Sequence, residues 1–235
     1  MDWSQLLIPC RFNGTTLLDH TPESGRSEFH KDYDRLIFSQ SLRRLARKTQ
    51  VHPLTINDHV HTRLTHSLEV ACVGRSLGQQ LGKVLQQREQ LPTALQPEDI
   101  GTIVQSACLA HDIGNPPFGH FGEAAINDWF KANINDLVDK AESFDLHQVY
   151  SDIRTDLIHF EGNAQAIRLI SSLLKLNLTY TQAAAILKYT RPASLDKTAV
   201  PLDKSYLMKK PGYYLSEQKY VEALGSIASA DNQKV

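Results

Sequence analysis

Cysteine is scarce in this chain. Cys10, Cys72 and Cys108 are odd in number, widely spaced and without a C-x-x-C pair. That argues against a disulfide framework or a thiolate zinc site, and makes a reducing cytoplasm the expected setting. An excess of either charge is also missing. Twenty-five basic residues against 26 acidic ones leave a net charge of −1, so the bulk charge advertises neither nucleic-acid nor membrane binding. No window approaches the roughly 18 apolar residues of a membrane span. Met1 to Gln5 carries no basic start leading into an apolar core, as a secretory leader would. Internal repeats, low-complexity tracts and convincingly alternating runs are absent too.

What remains is an ordinary globular composition, 41% hydrophobic and 22% charged over 235 residues. That length suits one sizeable core, or two small ones. The periodicities predict an all-α chain. Residues 10–27, with Gly14, Pro22 and Gly25, read as irregular. From about Phe29 to Lys48 a helix is expected from Tyr33, Ile37, Ser41 or Leu42, and Leu45 at three-to-four spacing. A loop at Pro53, Asn57 and Asp58 follows. A long helix then carries Leu64, Leu68, Cys72, Leu77, Leu81 and Val84 or Leu85 as one apolar stripe. His66 lies on its first turns. Pro97 suits a first helical position, with Glu98 and Asp99 where the helix dipole favours negative charge. Ile100, Ile103, Val104, Ala107, Cys108 and His111 then share one face, and Gly114 is expected to stop the helix. Another helix begins near 119–132, with Phe121, Ala125, Ile126 and Phe130 inward. Further helices are expected at about 162–175, 180–188 and 216–228.

His66 and the doublet His111-Asp112 carry the first chemical signal. Two imidazoles and a carboxylate suit a hard or borderline divalent cation. Adjacent helical side chains diverge by roughly 100°, so His111 and Asp112 can meet one ion only where a helix ends, and Gly114 supplies a turn there. Taken singly, a histidine on a helix is more often a satisfied core or surface residue than a ligand. The doublet also opens the run His111-Asp112-Ile113-Gly114-Asn115-Pro116-Pro117-Phe118-Gly119-His120-Phe121-Gly122-Glu123. Its second histidine and its glutamate, on a rigid Gly/Pro loop, suit proton transfer during hydrolysis. The blander alternatives are a loop-capping His120 and a Glu123 that serves as helix N-terminal charge. Arg43, Arg44, Arg47 and Lys48 form a cationic stretch that on its own reads as a solvated face.

Together these segments resemble the HD-domain metal-dependent phosphohydrolases, and most closely their deoxyguanosinetriphosphate triphosphohydrolase (dNTPase) branch. The resemblance rests on Gly25-Arg26-Ser27, Asp34-Arg35 and the stretch Leu42 to Val51. It continues through Thr62 to Val70, His111 to Glu123 and Phe160-Glu161-Gly162-Asn163-Ala164-Gln165, in the family's order over about residues 25–190. It implies an all-helical HD bundle in one domain, and hydrolysis of a dNTP to a deoxynucleoside and tripolyphosphate. In such enzymes His66, His111 and Asp112 would hold one divalent metal ion such as Mn²⁺ or Mg²⁺, and the catalytic pair falls on His120 and Glu123. The leaving alkoxide needs a proton, which an imidazole of ordinary pKa can deliver at physiological pH. Gln50 matches a position near the deoxyribose 3′ hydroxyl. Arg47, Lys188 and Tyr189 are the candidates to face substrate phosphates, although Leu187-Lys188-Tyr189 reads equally as a helix end.

The family pattern also has a fourth metal ligand, an Asp in a downstream Asp-Asp-Ile-Ala-Tyr-like segment. This chain has none, and Asp196, Asp203 and Asp231 lack the right surroundings. A chain lacking the C-terminal part of the fold is therefore expected. Two other functions stay open beside dNTP hydrolysis: an HD phosphohydrolase acting on another nucleotide, and a silent nucleotide- or nucleic-acid-binding remnant. Members commonly oligomerise and some respond to dNTPs or single-stranded DNA. The partner expectations are thus a dNTP, a homo-oligomer and weak single-stranded DNA binding, with no membrane.

Overall fold

A computed structural model describes residues 2–12, 17–18, 26–139, 153–195, 198 and 202–229. The chain is built from helices: α1 (Trp3–Leu6), α2 (Glu28–Ile37), α3 (Gln40–Arg44), α4 (Arg63–Gln87), α5 (Pro97–Ala110), α6 (His120–Asp139), helical residues 153–158 (α7), α8 (Gly162–Arg168), α9 (Tyr180–Ile186) and α10 (Gln218–Ser229). Two small sheets accompany them. β1 (Arg11–Phe12) pairs antiparallel with β2 (Leu17–Leu18), and β3 (Arg191–Pro192) pairs parallel with β4 (Pro211–Tyr213). The all-α expectation holds. No helix among the described residues is long and apolar enough to cross a membrane.

The core gathers where the C-terminal half of α5 meets its neighbours. Leu109 and Ala110 are buried with Leu36 of α2, Leu42 of α3, Ala71 of α4, Ile167 of α8, and Tyr180 and Ala183 of α9. Sealing this region removes roughly 1.5–3 kcal/mol of unfavourable hydration per large apolar side chain. The N-terminal segment is tied down by charge. Arg11, itself buried, pairs with Glu28 at 2.6 Å and Asp32 at 2.7 Å, and Asp32 also accepts from the backbone and hydroxyl of Thr179, the N-cap of α9.

The helix expected over Phe29–Lys48 is broken. Ser39 is extended, with ψ 145°, and its hydroxyl accepts from the backbone N–H of Leu42. A serine that satisfies a new helix start ends the previous helix. The chain therefore turns after α2, restarts as α3 and tightens into a 3₁₀ turn over Leu45–Arg47.

Most of the apolar stripe expected to bury α4 faces outward. Leu77 is 59% exposed, and Leu68, Cys72, Leu81 and Val84 are exposed as well, whereas at its two ends Leu64 is half-buried and Leu85 buried as expected. The buried face is Ala71, Gly74, Gly78, Gly82 and Leu85. These small residues let α4 lie backbone-to-backbone against α5. A Cβ on Gly78 would sit 2.8 Å from the Ile100 carbonyl oxygen, and one on Gly82 would sit 2.6 Å from Pro97 Cα. Contacts run from Gly74–Cys108 to Gly82–Pro97, so the two helices are antiparallel. In α6, Phe121 (79% exposed) and Ala125 point outward, while Ile126 and Phe130 are half-buried. The first turn of α6 instead buries Glu123. Residues two apart on a helix differ by roughly 200°, so burying Glu123 turns Phe121 away.

Candidate metal centre and anion cavity

α4 starts crisply. The Thr62 hydroxyl accepts from Thr65 N–H, and the Thr65 hydroxyl returns the bond to the Thr62 backbone. His66 follows in the next turn. α5 ends at Ala110, with His111 as its C-cap and Asp112 in the turn beyond. Gly114 does not adopt a left-handed conformation. It is needed because its Cα abuts α8, where a Cβ would run into the Gly162 carbonyl.

This geometry brings His66, His111 and Asp112 together, with one donor atom from each lying within 4.8 Å of the others. The imidazole centroids are 5.3 Å apart with an interplanar angle of 74°. The Nδ1 of His111 lies 2.6 Å from the Cys108 carbonyl oxygen. An N–H there donates to that carbonyl and leaves the Nε2 lone pair outward, the orientation a metal-ligating imidazole takes. His111 Nε2 is 3.5 Å from Asp112 Oδ1. The Asp112 carboxylate is itself oriented, accepting from Arg63 at 2.7 Å through Oδ2 and from the Asn115 amide at 2.6 Å through Oδ1. An ion about 2.0–2.3 Å from each of three donors holds them at most about 4 Å from one another, so side-chain rotations that draw the trio together by under about an ångström fit it to a divalent cation. Among the described residues no fourth His, Cys, Asp or Glu joins the group. Asp203 is exposed, and Asp196 and Asp231 lie outside the described residues.

Beside this corner the chain passes Phe118 and Gly119 with φ of 63° and 55° and enters α6. A Cβ on Gly119 would press within 2.5 Å of the Arg63 guanidinium, so the position favours glycine for both conformation and space. His120 Nδ1 then meets Glu123 Oε2 at 2.6 Å, and Glu123 Oε1 accepts from the Gly162 N–H at 2.9 Å. The carboxylate is buried and fixed from two sides. The imidazole it holds is exposed.

A cavity of about 410 Å³ joins these groups. Arg63, His111, Asp112 and His120 line it, as do Gln50, Lys188 and Tyr189. Its lining cations are Arg63, Lys188 and Lys210, and its one lining carboxylate is Asp112, a balance that suits an anion. Gln50 Oε1 and Arg63 Nε are buried there without a hydrogen-bond partner, and orphaned polar atoms at a cavity wall point to a ligand. α9 stops at Ile186, so Lys188 and Tyr189 project from the segment after it. Arg47 is not in this cavity. It lines a neighbouring hollow of about 440 Å³ with His52, Asn57 and His61, because the 3₁₀ turn swings it to the other side. Between the two, Lys48 donates to the Asn115 carbonyl at 2.6 Å. Burial, reinforced by Arg63 and Arg44 and opposed by Asp112, lowers its ammonium pKa.

Arg63, Asn115, Gly119, Asn163 and Lys210 line the cavity but were given no role from the sequence. Arg63 had a readable signal, lying one helical turn before His66. Lys210 had none. It arrives through the β3–β4 pairing, where Gly212 packs so tightly on the Tyr189 carbonyl that a side chain would not fit.

A model of the HD domain matches residues 63–172. The chain is 52% identical over 195 residues to a deoxyguanosinetriphosphate triphosphohydrolase-like protein of Pseudomonas aeruginosa strain LESB58, covering 80% of this chain and 42% of that protein. It is 47% identical over 230 residues to a deoxyguanosinetriphosphate triphosphohydrolase of Enterobacter sp. strain 638, covering 87% of this chain and 45% of the relative. For the corresponding protein of Salmonella typhimurium the figures are 46% over 222 residues, 83% and 43%. The chain thus spans less than half the length of these relatives.

Proposed function

We propose that this chain, which belongs to the HD-domain family, hydrolyses a deoxynucleoside triphosphate to a deoxynucleoside and tripolyphosphate. The observation that carries the proposal is the shared cavity: a trio fit for a cation, a histidine–carboxylate pair and three cations line or adjoin one space of about 410 Å³. His66, His111 and Asp112 would hold the ion. A bound Mn²⁺ or Mg²⁺ would supply Lewis-acid polarisation of the α-phosphate.

The chain's own residues do the rest. Arg63, Lys188 and Lys210 bind the polyphosphate as point charges and hydrogen-bond donors. The orphaned Gln50 Oε1 accepts from a sugar hydroxyl, which fixes the deoxyribose. Water attacks the α-phosphorus, releasing a proton to solvent, and the bond to the 5′ oxygen breaks. His120 gives its proton to that oxygen. Glu123, locked by the Gly162 N–H, orients the ring and stabilises its charged form, which in comparable sites contributes about 10²–10⁴-fold. A second reading, nucleotide binding without turnover, draws on the absence of a fourth acidic or imidazole ligand among the described residues.

Incubation with each dNTP and Mn²⁺ or Mg²⁺, followed by ion chromatography, separates the readings. We expect tripolyphosphate, abolished by EDTA and by His111→Ala. Pyrophosphate or orthophosphate alone points to a different HD phosphohydrolase. Bound nucleotide without product supports the second reading.

A further inference from the structure

Glu161 is a buried carboxylate that the scheme above does not use. It is the N-cap residue of α8, yet its side chain makes no capping hydrogen bond. Oε1 instead accepts from Lys210 Nζ at 3.1 Å and from Asn163 Nδ2 at 2.7 Å. Both donors line the cavity, whereas Glu161 stands behind them. Its backbone is clamped by one hydroxyl: the Glu161 N–H donates to Tyr214 Oη at 3.0 Å, and the Tyr214 hydroxyl donates back to the Glu161 carbonyl at 3.2 Å. Tyr214 is fully buried beneath the Arg168 guanidinium, 4.5 Å from its ring centroid. Burial pushes the Tyr214 pKa up, so the hydroxyl keeps its proton and the clamp stays closed at neutral pH.

A carboxylate just behind an anion site repels the anion. Its position is understandable if its main effect is exerted through the groups it holds. A lysine head on a four-carbon stem explores many rotamers, and fixing it beforehand lowers the entropy lost when a ligand binds. An ammonium has three N–H donors, and the contact with Glu161 uses one. We propose that Glu161 is a positioning residue that presents the Lys210 ammonium to the polyphosphate. This rests on the triphosphate reading of the cavity and adds a residue to it.

The sign of the effect distinguishes positioning from simple repulsion. Inorganic tripolyphosphate is titrated calorimetrically into the full 235-residue chain in EDTA, with no turnover and no metal. We expect Glu161→Gln to weaken binding about fivefold even though it removes a negative charge, and Lys210→Met to weaken it about tenfold. The double variant should bind within about twofold of Lys210→Met, because Glu161 acts through Lys210. Glu161→Asp keeps the charge but withdraws it by one carbon. It should lose about as much as Glu161→Gln, and it supplies the measurement if the neutral variant melts early. Tighter binding in Glu161→Gln, wild-type binding in Glu161→Asp, or the same loss with and without Lys210 overturns the proposal, as does a wild-type chain that fails to bind tripolyphosphate. A chain that binds tripolyphosphate with this coupling but hydrolyses no dNTP leaves it standing and removes only the proposed reaction.

Discussion

The two sides of the cavity are held by different forces. The metal corner stands on α4 and α5, whose backbones meet at Gly78 and Gly82, while Gly74 makes room for the Cys108 side chain. The wall that carries Lys188 and Lys210 stands on short irregular pieces: the segment after α9, two- and three-residue strands, and the loop that carries Glu161. It is held by single hydrogen bonds such as Ala193 N–H to the Tyr213 carbonyl at 3.1 Å, and by the Lys210–Glu161 pair. Metal ligands tolerate displacements of only a few tenths of an ångström, so they belong on a close-packed helix pair. A polyphosphate is flexible and its recognition is electrostatic, so its contacts can ride on looser elements.

The sharpest way to break this comparison is to pry the helices apart. Gly78→Val places a branched side chain where the Ile100 carbonyl oxygen and Gly101 Cα leave 2.8 and 2.9 Å for even a first carbon. We expect a loss of at least about 3 kcal/mol in urea unfolding, since the obstacle is backbone and cannot swing aside. Leu77→Ser, one residue away on the exposed face, should change stability by less than about 0.5 kcal/mol. If Leu77→Ser proves the more damaging, α4 buries its leucines and the glycine seam is not what holds the corner.

That pair of variants also marks how far the sequence could be read. The period of α4 was legible and its phase was not, because an apolar stripe ordinarily marks the buried face, whereas two helices in backbone contact need small residues there. Phe121 misled in the same way, since its helix turns a carboxylate inward. The metal trio was legible because each member sits at or near a helix end, where spacing constrains direction. His120 and Glu123 were legible as a pair one helical turn apart. Arg47 and Lys210 show the limit. Arg47 lies in a visible basic run, but a local 3₁₀ turn sends it to the neighbouring hollow. Lys210 reaches the cavity through a strand pairing with residues far back in the chain, which no local pattern encodes.

A smaller effect is expected on the other side of the cavity. Lys188 lines it with its ammonium 5.4 Å from the Tyr189 ring centroid. Lys188→Met removes a cation from the wall and leaves the helix pair untouched. Steady-state kinetics should show KM for a dNTP raised about tenfold with kcat within about threefold, the pattern of a lost binding contact that does not tighten in the transition state. Mn²⁺ affinity, measured without nucleotide, should not move. A matching fall in kcat would mean that the wall and the corner act as one unit and are not the separable parts described above.

The smallest expected effect tests whether the wall's outer support depends on charge or on geometry. Asp156 of α7 is buried and accepts the Leu215 N–H at 2.9 Å, just beyond the Tyr214 that clamps Glu161. Burial raises its carboxyl above the ordinary 3.8, with the Leu215 N–H and Arg168 opposing the rise and Glu217 adding to it. A carboxyl whose pKa is raised by folding favours the folded state most when protonated. That contribution is fully present below pH 3.8 and is lost as pH climbs through the folded-state pKa. Asp156→Asn keeps an acceptor for Leu215 and carries no charge at any pH. It should therefore be the more stable form near pH 7, by less than about 1 kcal/mol, and the difference should close in acid as the wild-type carboxyl takes up its proton. Urea midpoints measured from pH 7 down toward pH 4 would show the two curves converging. Should the variant instead be weaker at neutral pH and match the wild type only in acid, the ionised carboxylate is holding Arg168 through charge, and the wall depends on electrostatics one layer further out than the Lys210–Glu161 pair.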